Sequence, residues 1–160
     1  MKNKKSSEFI KNYWDEKGKK FGTDPRATIN DHQFRLLEID TIKNLLREDD
    51  FILDIGCGNG FSTLEYATVS KSVIGVDYSE PLIVGARKMR ETHISKEKIE
   101  FKVMSALELN FLDEYFDVII MERLLINLQT YDEQKKATLE AKRVLKSGGR
   151  CIISTVTIQG

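Results

Sequence analysis

The stretch Ile52-Leu53-Asp54-Ile55-Gly56-Cys57-Gly58-Asn59-Gly60 constrains this chain more than any other. A short apolar run, Phe51–Ile55, reads as a buried strand and empties into a glycine cluster. A helix is expected to follow over Ser62–Thr68. Glycine adopts backbone conformations closed to other residues and lets another group lie against bare main chain. The helix N-terminus beyond it presents free N–H groups at the positive end of the helix dipole. Strand, glycine loop and helix together form a socket at the carboxyl edge of a sheet, where open α/β sheets take nucleoside ligands. A tight turn with no ligand is the competing account of the same glycines.

The spacing narrows the ligand. Dinucleotide sites use G-x-G-x-x-G to bring main chain and helix end onto a pyrophosphate. Here the pattern is G-x-G-x-G, with Asp54 two positions ahead. A carboxylate there would repel a pyrophosphate and attract the ammonium group of an amino-acid moiety, directly or through water. Asp77 closes the next apolar run, Ser72–Val76. An acid at that strand end accepts hydrogen bonds from ribose hydroxyls, and Tyr78 beside it offers a ring to an adenine face. The competing account of Asp77 is a helix cap.

The rest of the chain alternates in the same way. Ile99–Val103, Phe116–Met121 and Arg150–Val156 read as further strands. Ser79-Glu80-Pro81 opens a helix running to about Glu91, and Asp132–Leu145 is a charged amphipathic helix with Ser147-Gly148-Gly149 at its C-terminal cap. Alternating strands and helices give an α/β domain with a parallel sheet covered on both faces. Ahead of it, residues 1–50 form a helical lead-in or lid. Phe9, Ile10, Tyr13, Trp14 and Phe21 recur at helical spacing, and a second amphipathic helix spans Ile29–Leu46. Residues 51–160 are the core.

Composition excludes several classes. Twenty-five Lys and Arg balance twenty-five Asp and Glu over 160 residues, so no general electrostatic grip on nucleic acid or anionic membrane is expected. Met1–Lys5 with Lys17–Lys20 is a basic patch that reads more simply as a solvated helix face. Cys57 and Cys151 lack metal-site spacing, so no metal is expected. The polar N-terminus lacks a signal-peptide core and no apolar run suits a membrane span. A cytoplasmic location is the expectation.

Leu53-Asp54-Ile55-Gly56-Cys57-Gly58-Asn59-Gly60 resembles the first motif of the class I S-adenosylmethionine-dependent methyltransferases, and Val76-Asp77-Tyr78-Ser79 the second. Phe116-Asp117-Val118-Ile119-Ile120 resembles the family's fourth strand, and Arg143-Val144-Leu145-Lys146-Ser147-Gly148-Gly149 the turn before its fifth. Tyr13-Trp14 to Ile39 and Glu122 to Leu128 are similar to a bacterial small-molecule branch. The resemblance implies a Rossmann-like parallel sheet sandwiched by helices, truncated here after the fifth strand, with S-adenosyl-L-methionine as cofactor. It implies a cofactor site of Asp54, Gly56, Cys57, Gly58, Gly60, Asp77, Tyr78, Ser105, Ala106, Leu107, Met121 and Glu122. Many relatives carry an acid where Ser105 stands, which weakens the expected adenine contact or shifts it to the backbone. An uncovered fifth strand would be an open edge, and a homodimer through it is expected.

In-line methyl transfer to a small-molecule acceptor asks the protein mainly to position the reactants and exclude water. A general base is needed only where the acceptor must lose a proton. Glu122 and His32 are the candidates, with Asp31 behind them; Arg123 suits an anionic acceptor. His93 reads as solvated. Two rivals stand: a truncated cofactor-binding module without turnover, and a nicotinamide-dependent oxidoreductase, against which the glycine spacing and Asp54 argue.

Overall fold

The computed structural model describes residues 7–155. The basic segment Met1–Lys5 and the end of the expected fifth strand at Val156 lie outside them. Five strands form one sheet: β1 (Phe51–Ile55), β2 (Ser72–Asp77), β3 (Ile99–Val103), β4 (Phe116–Glu122) and β5 (Leu145–Ser154). Their order is β3-β2-β1-β4-β5, and every pairing is parallel. The order reverses between β1 and β4, so the carboxyl ends of β1, β2 and β4 open into one crevice at that switch point.

Five helices surround the sheet: α1 (Ser7–Phe21), α2 (His32–Lys43), α3 (Phe61–Tyr66), α4 (Glu80–Glu91) and α5 (Tyr131–Val144). Residues alternating along each strand feed two cores. Ile52, Val73, Val118 and Ile120 pack with Ile39, Ile42, Leu64 and Ile83 from α2, α3 and α4. Leu53, Ile55, Val76, Ile119 and Met121 pack with Ala141 and Val144 of α5. Central strands buried on both faces read as continuous apolar runs, which is why period-two alternation is absent from them.

The lead-in is welded to this body. At Gly18, an added Cβ would lie 2.7 Å from the Leu82 backbone nitrogen, so α1 crosses α4 in near backbone contact. Asn59 of the glycine loop donates to the carbonyls of Gly22 (3.1 Å) and Asp24 (2.9 Å). No helix among the described residues is long and apolar enough to cross a membrane.

The expected helix bounds shift in three places. α3 ends at Tyr66, not Thr68, and α2 runs only from its cap at Asp31 to Lys43. α5 begins one residue earlier, at Tyr131 behind a Thr130–Glu133 capping box, and stops at Val144. The glycines after it are not a cap: Leu145 is already extended and pairs with Phe116, while Gly148 and Gly149 form a bulge before Arg150 rejoins Val118. β4 also runs one residue further, to Glu122.

The two sheet edges differ. Arg87 donates to the Phe101 carbonyl (2.9 Å) and Arg90 to that of Ile99 (3.2 Å), so arginines from α4 occupy outward acceptors of β3. On β5, Cys151 and Ile153 are exposed, the latter to 46%.

Candidate functional site

Gly56, Gly58 and Gly60 have φ of 79°, 57° and 78°, so the loop after β1 is built from conformations that residues with a Cβ resist. The Gly56 and Cys57 amides donate to the Val76 carbonyl at 2.8 and 3.0 Å, which ties the loop to the end of β2. At Gly58 a side chain would also collide with the Thr28 methyl group. Asp77 completes the turn. One carboxylate oxygen accepts from the Gly58 amide (3.0 Å) and the other from the Ser79 amide (2.9 Å). The helix cap is Ser79 itself, so Asp77 holds the loop instead of starting α4.

A cleft of about 620 Å³, measured to its open mouth, lies over this loop. Gly56, Cys57, Gly58, Phe61, Ser62, Asp77, Tyr78, Leu82, Glu122, Arg123, Leu124 and Asn127 line it, together with Trp14 and Thr28 of the lead-in. A second, mostly apolar cleft of about 920 Å³ adjoins it across Tyr78, Leu124 and Asn127. Ser105, Ala106 and Leu107 line that one, with Ile10 and Lys11 of α1.

Carboxylates are concentrated beneath. Asp54 is 2% exposed and accepts from the Thr63 hydroxyl at 2.6 Å. Burial raises its pKa from 3.8 to about 7; the Glu122 and Asp77 carboxylates add to the rise and the Thr63 bond opposes it. Burial also lifts Asp77 to about 6, against the two backbone amides that favour its charged form. Glu122 accepts from Tyr66 Oη (2.7 Å) and Ser62 Oγ (3.3 Å) and pairs with Arg123 Nη2 at 2.8 Å. Burial raises its pKa too, while those hydroxyls and the Arg35 charge pull it back. Arg123 reaches on to Glu38 of α2, so the floor is braced from two elements.

The sequence-expected residues separate into groups. Gly56, Cys57, Gly58, Asp77, Tyr78 and Glu122 meet at the first cleft, and Tyr78 with Ser105, Ala106 and Leu107 at the second. Three others do not line either. Asp54 sits under the floor against Thr63. Gly60 caps α3, and a Cβ there would press on the Phe101 ring, a packing demand. Met121 is wholly buried in the α5-side core, because in a pleated strand its neighbour Glu122 takes the opposite face. Among the candidate bases, His32 is exposed, 6.2 Å from the Phe61 ring and off the cleft wall. The Asp31 carboxylate caps α2 by accepting from the Phe34 amide at 2.9 Å.

Sequence reasoning missed Thr28, Asn59, Ser62 and above all Arg35. Arg35 is 1% exposed, and its only signal is an arginine set between Phe34 and Leu36 on an amphipathic helix, a pattern that ordinarily means solvent.

Comparison with known proteins gives a consistent answer. A family model described as "Methyltransferase domain" matches residues 46–159. The 27-O-demethylrifamycin SV methyltransferase of Amycolatopsis mediterranei is 30% identical over 139 residues, covering 86% of this chain and 47% of that protein. A SAM-dependent methyltransferase structure from Methanosarcina mazei is 36% identical, with a TM-score of 0.66 over 71% of this chain and 55% of the other. Haemonchus contortus phosphoethanolamine N-methyltransferase 1, solved with phosphoethanolamine and S-adenosylhomocysteine, shares the fold at a TM-score of 0.76 over 99% of this chain and 35% of its own, at 20% identity. The chain spans 39%, 47% and 60% of the length of three curated relatives it matches. With the model matching well over half its residues, the chain belongs to the methyltransferase-domain family.

Proposed function

We propose that this chain is the S-adenosylmethionine-binding part of a methyltransferase acting on a small-molecule acceptor. The observation that carries the reading is Asp77: a carboxylate buried to 7% exposure that faces the cleft while it pins a bare glycine loop. Cleft and ligand fit one another. The glycine loop offers main chain where a Cβ would intrude, Asp77 keeps lone pairs for ribose hydroxyls, and no lysine lines the first cleft to await a phosphate. When bound, the cofactor supplies a methyl group on a positively charged sulfur whose departure leaves a neutral thioether.

In this reading Gly56, Cys57 and Gly58 hold the amino-acid end. Tyr78 with Ser105, Ala106 and Leu107 sandwiches the base in the second, apolar cleft. Asp54 acts through Thr63 and the floor, without direct contact. Trp14 and Thr28 exclude water, so residues 1–50 serve as a wall of the site and 51–160 as its core. Glu122 is the residue placed to hold or take a proton, since its carboxylate meets the cleft and its bonds to Tyr66 and Ser62 fix its direction. His32 becomes relevant only if the first turn of α2 moves inward.

The balanced charge favours a small neutral or weakly charged acceptor over nucleic acid. Two free thiols, one exposed on β5, suit a reducing, cytoplasmic setting; recovery of the chain from an extracytoplasmic fraction would count against it. The exposed β5 favours self-pairing.

Calorimetry with S-adenosylmethionine, S-adenosylhomocysteine and NAD tests the cofactor. Binding of the first two and not the third is expected, and binding of NAD alone would sink the reading. Turnover of labelled methyl donor against a metabolite panel then separates an enzyme from a module that only binds.

A further inference from the structure

The second cleft is larger than one nucleobase requires. It measures about 920 Å³ to its open mouth, a size that takes a whole drug-sized molecule. In the cofactor reading above, the base uses Tyr78, Ser105, Ala106 and Leu107. The other apolar walls, Ile10 of α1 with Leu124 and Leu128 after β4, are left for a second molecule.

Leu124 joins this space to the first cleft. It lines both, and a Cβ added to Gly56 would lie 2.9 Å from its Cδ1, so Leu124 sits directly over the glycine loop. Arg123 before it has a φ of 52°, a left-handed conformation that residues with a Cβ seldom adopt and that gathers at functional sites. Glu122, one residue further back, lines the first cleft. A molecule lying across Leu124 thus has its body among apolar side chains and its head beside the Glu122 carboxylate.

The charges on these walls select against an ionised acceptor. Among the described residues, the lining cations are Lys11 and Arg123, and both are engaged: Lys11 with Asp15 at 2.5 Å, Arg123 with Glu38 and Glu122. An anionic acceptor would leave water for apolar walls without a free counter-charge, which is costly. An ammonium group would lie next to the positive sulfur of the methyl donor, like charge beside like. A neutral acceptor incurs neither cost. A carboxylate base in turn suits a hydroxyl acidic enough to give up its proton.

We propose that the methyl acceptor is a neutral, apolar-bodied hydroxyl compound of the phenol class, its body held by Ile10, Leu124 and Leu128 beside the base and its hydroxyl at Glu122. This rests on the cofactor reading above and deepens it by naming the acceptor class. The hydroxyl oxygen forms the new C–O bond as the C–S bond breaks. Its proton passes to the Glu122 carboxylate, and the products are a methyl ether and a neutral thioether.

The test titrates three probes with one ring system into the full chain saturated with S-adenosylhomocysteine, by calorimetry: 2-naphthol, anionic 2-naphthoate and cationic 2-(aminomethyl)naphthalene. 2-Naphthol is expected to bind at least about tenfold more tightly than either charged probe. Leu128→Asp, and separately Ile10→Asp, should weaken 2-naphthol by at least about tenfold and leave S-adenosylhomocysteine within about twofold. Binding of 2-naphthol that disappears at saturating S-adenosylhomocysteine would mean that the second cleft holds the base alone, and overturns the assignment. So does a charged probe that binds as tightly as 2-naphthol. A Leu128→Asp protein that melts cooperatively yet loses both ligands, or that binds 2-naphthol as wild type does, overturns the division of the cleft on which the assignment stands. Wild-type protein that binds S-adenosylhomocysteine but no 2-naphthol sinks this inference alone, whereas failure to bind S-adenosylhomocysteine sinks the cofactor reading itself.

Discussion

Asp54 and Asp77 show how one residue type takes different tasks from its surroundings. Asp54 is the penultimate residue of β1 and Asp77 the last of β2, yet only Asp77 faces the cleft. Asp54, with its pKa lifted to about 7 from 3.8, is protonated in the fold at pH values where the unfolded chain has already ionised. The fold therefore binds more protons than the unfolded chain between those values, and stability falls as pH rises from about 4 through about 7. Thermal melts of ligand-free protein should show a lower Tm at pH 8 than at pH 5.5. Asp54→Asn, which cannot ionise, should flatten that difference, and an unchanged slope would acquit Asp54. For Asp77 the charged form is the useful one, because a carboxylate accepts ribose hydroxyls better than a neutral acid. With its pKa near 6, cofactor affinity should drop as pH falls below about 6, and titrations at pH 5 and pH 7.5 check it. Gly58→Ala combines a positive φ with a clash at Thr28 and should cost more than about 1 kcal/mol in chemical denaturation.

The elements were legible where one physical cause set them. Apolar runs gave all five strands, since a sheet covered on both faces leaves a continuous hydrophobic signature, and the glycine–acid pattern located the cleft. Two features escaped. The Gly148-Gly149 bulge looked like a helix cap because glycine at positive φ serves both, and only the pairing of Leu145 with Phe116 separates them. The lead-in's share of the site was harder still: Trp14 announces itself as an aromatic, but Thr28 and Arg35 are placed by tertiary packing that no local pattern encodes. Asn59, which stands between two glycines of the motif, carries the joint between lead-in and loop. Its loss should loosen that wall: Asn59→Ala, removing two bonds to part-buried carbonyls, is expected to destabilise by about 1–3 kcal/mol. Hydrogen exchange in α1 should rise with it; unaltered exchange would mean that the Gly18 crossing alone holds the helix.

At the scale of the whole molecule, the two edges of the sheet differ. Arginines cover acceptors on β3, while β5 presents an exposed apolar face beside α5. Exposed strands of that kind pair with other chains. Sedimentation of the chain should show self-association that grows with concentration, and a proline in place of Ile152 or Ile153 should suppress it; a monomer at every concentration would remove β5 as an interface. None of this bears on the cleft, whose walls come from α1, the turn at Thr28, the glycine loop, the starts of α3 and α4, and the ends of β2 and β4 with the turn that follows β4. The claim on which the account turns is that a nucleoside with an amino-acid tail lies across the glycine loop against Asp77. A crystal structure of the chain with S-adenosylhomocysteine tests it most directly. The account expects both ribose hydroxyls on the Asp77 carboxylate and the base against Tyr78 and Ser105–Leu107. An adenosyl group bound elsewhere at saturating ligand, with Asp77 still held only by the Gly58 and Ser79 amides, would contradict it.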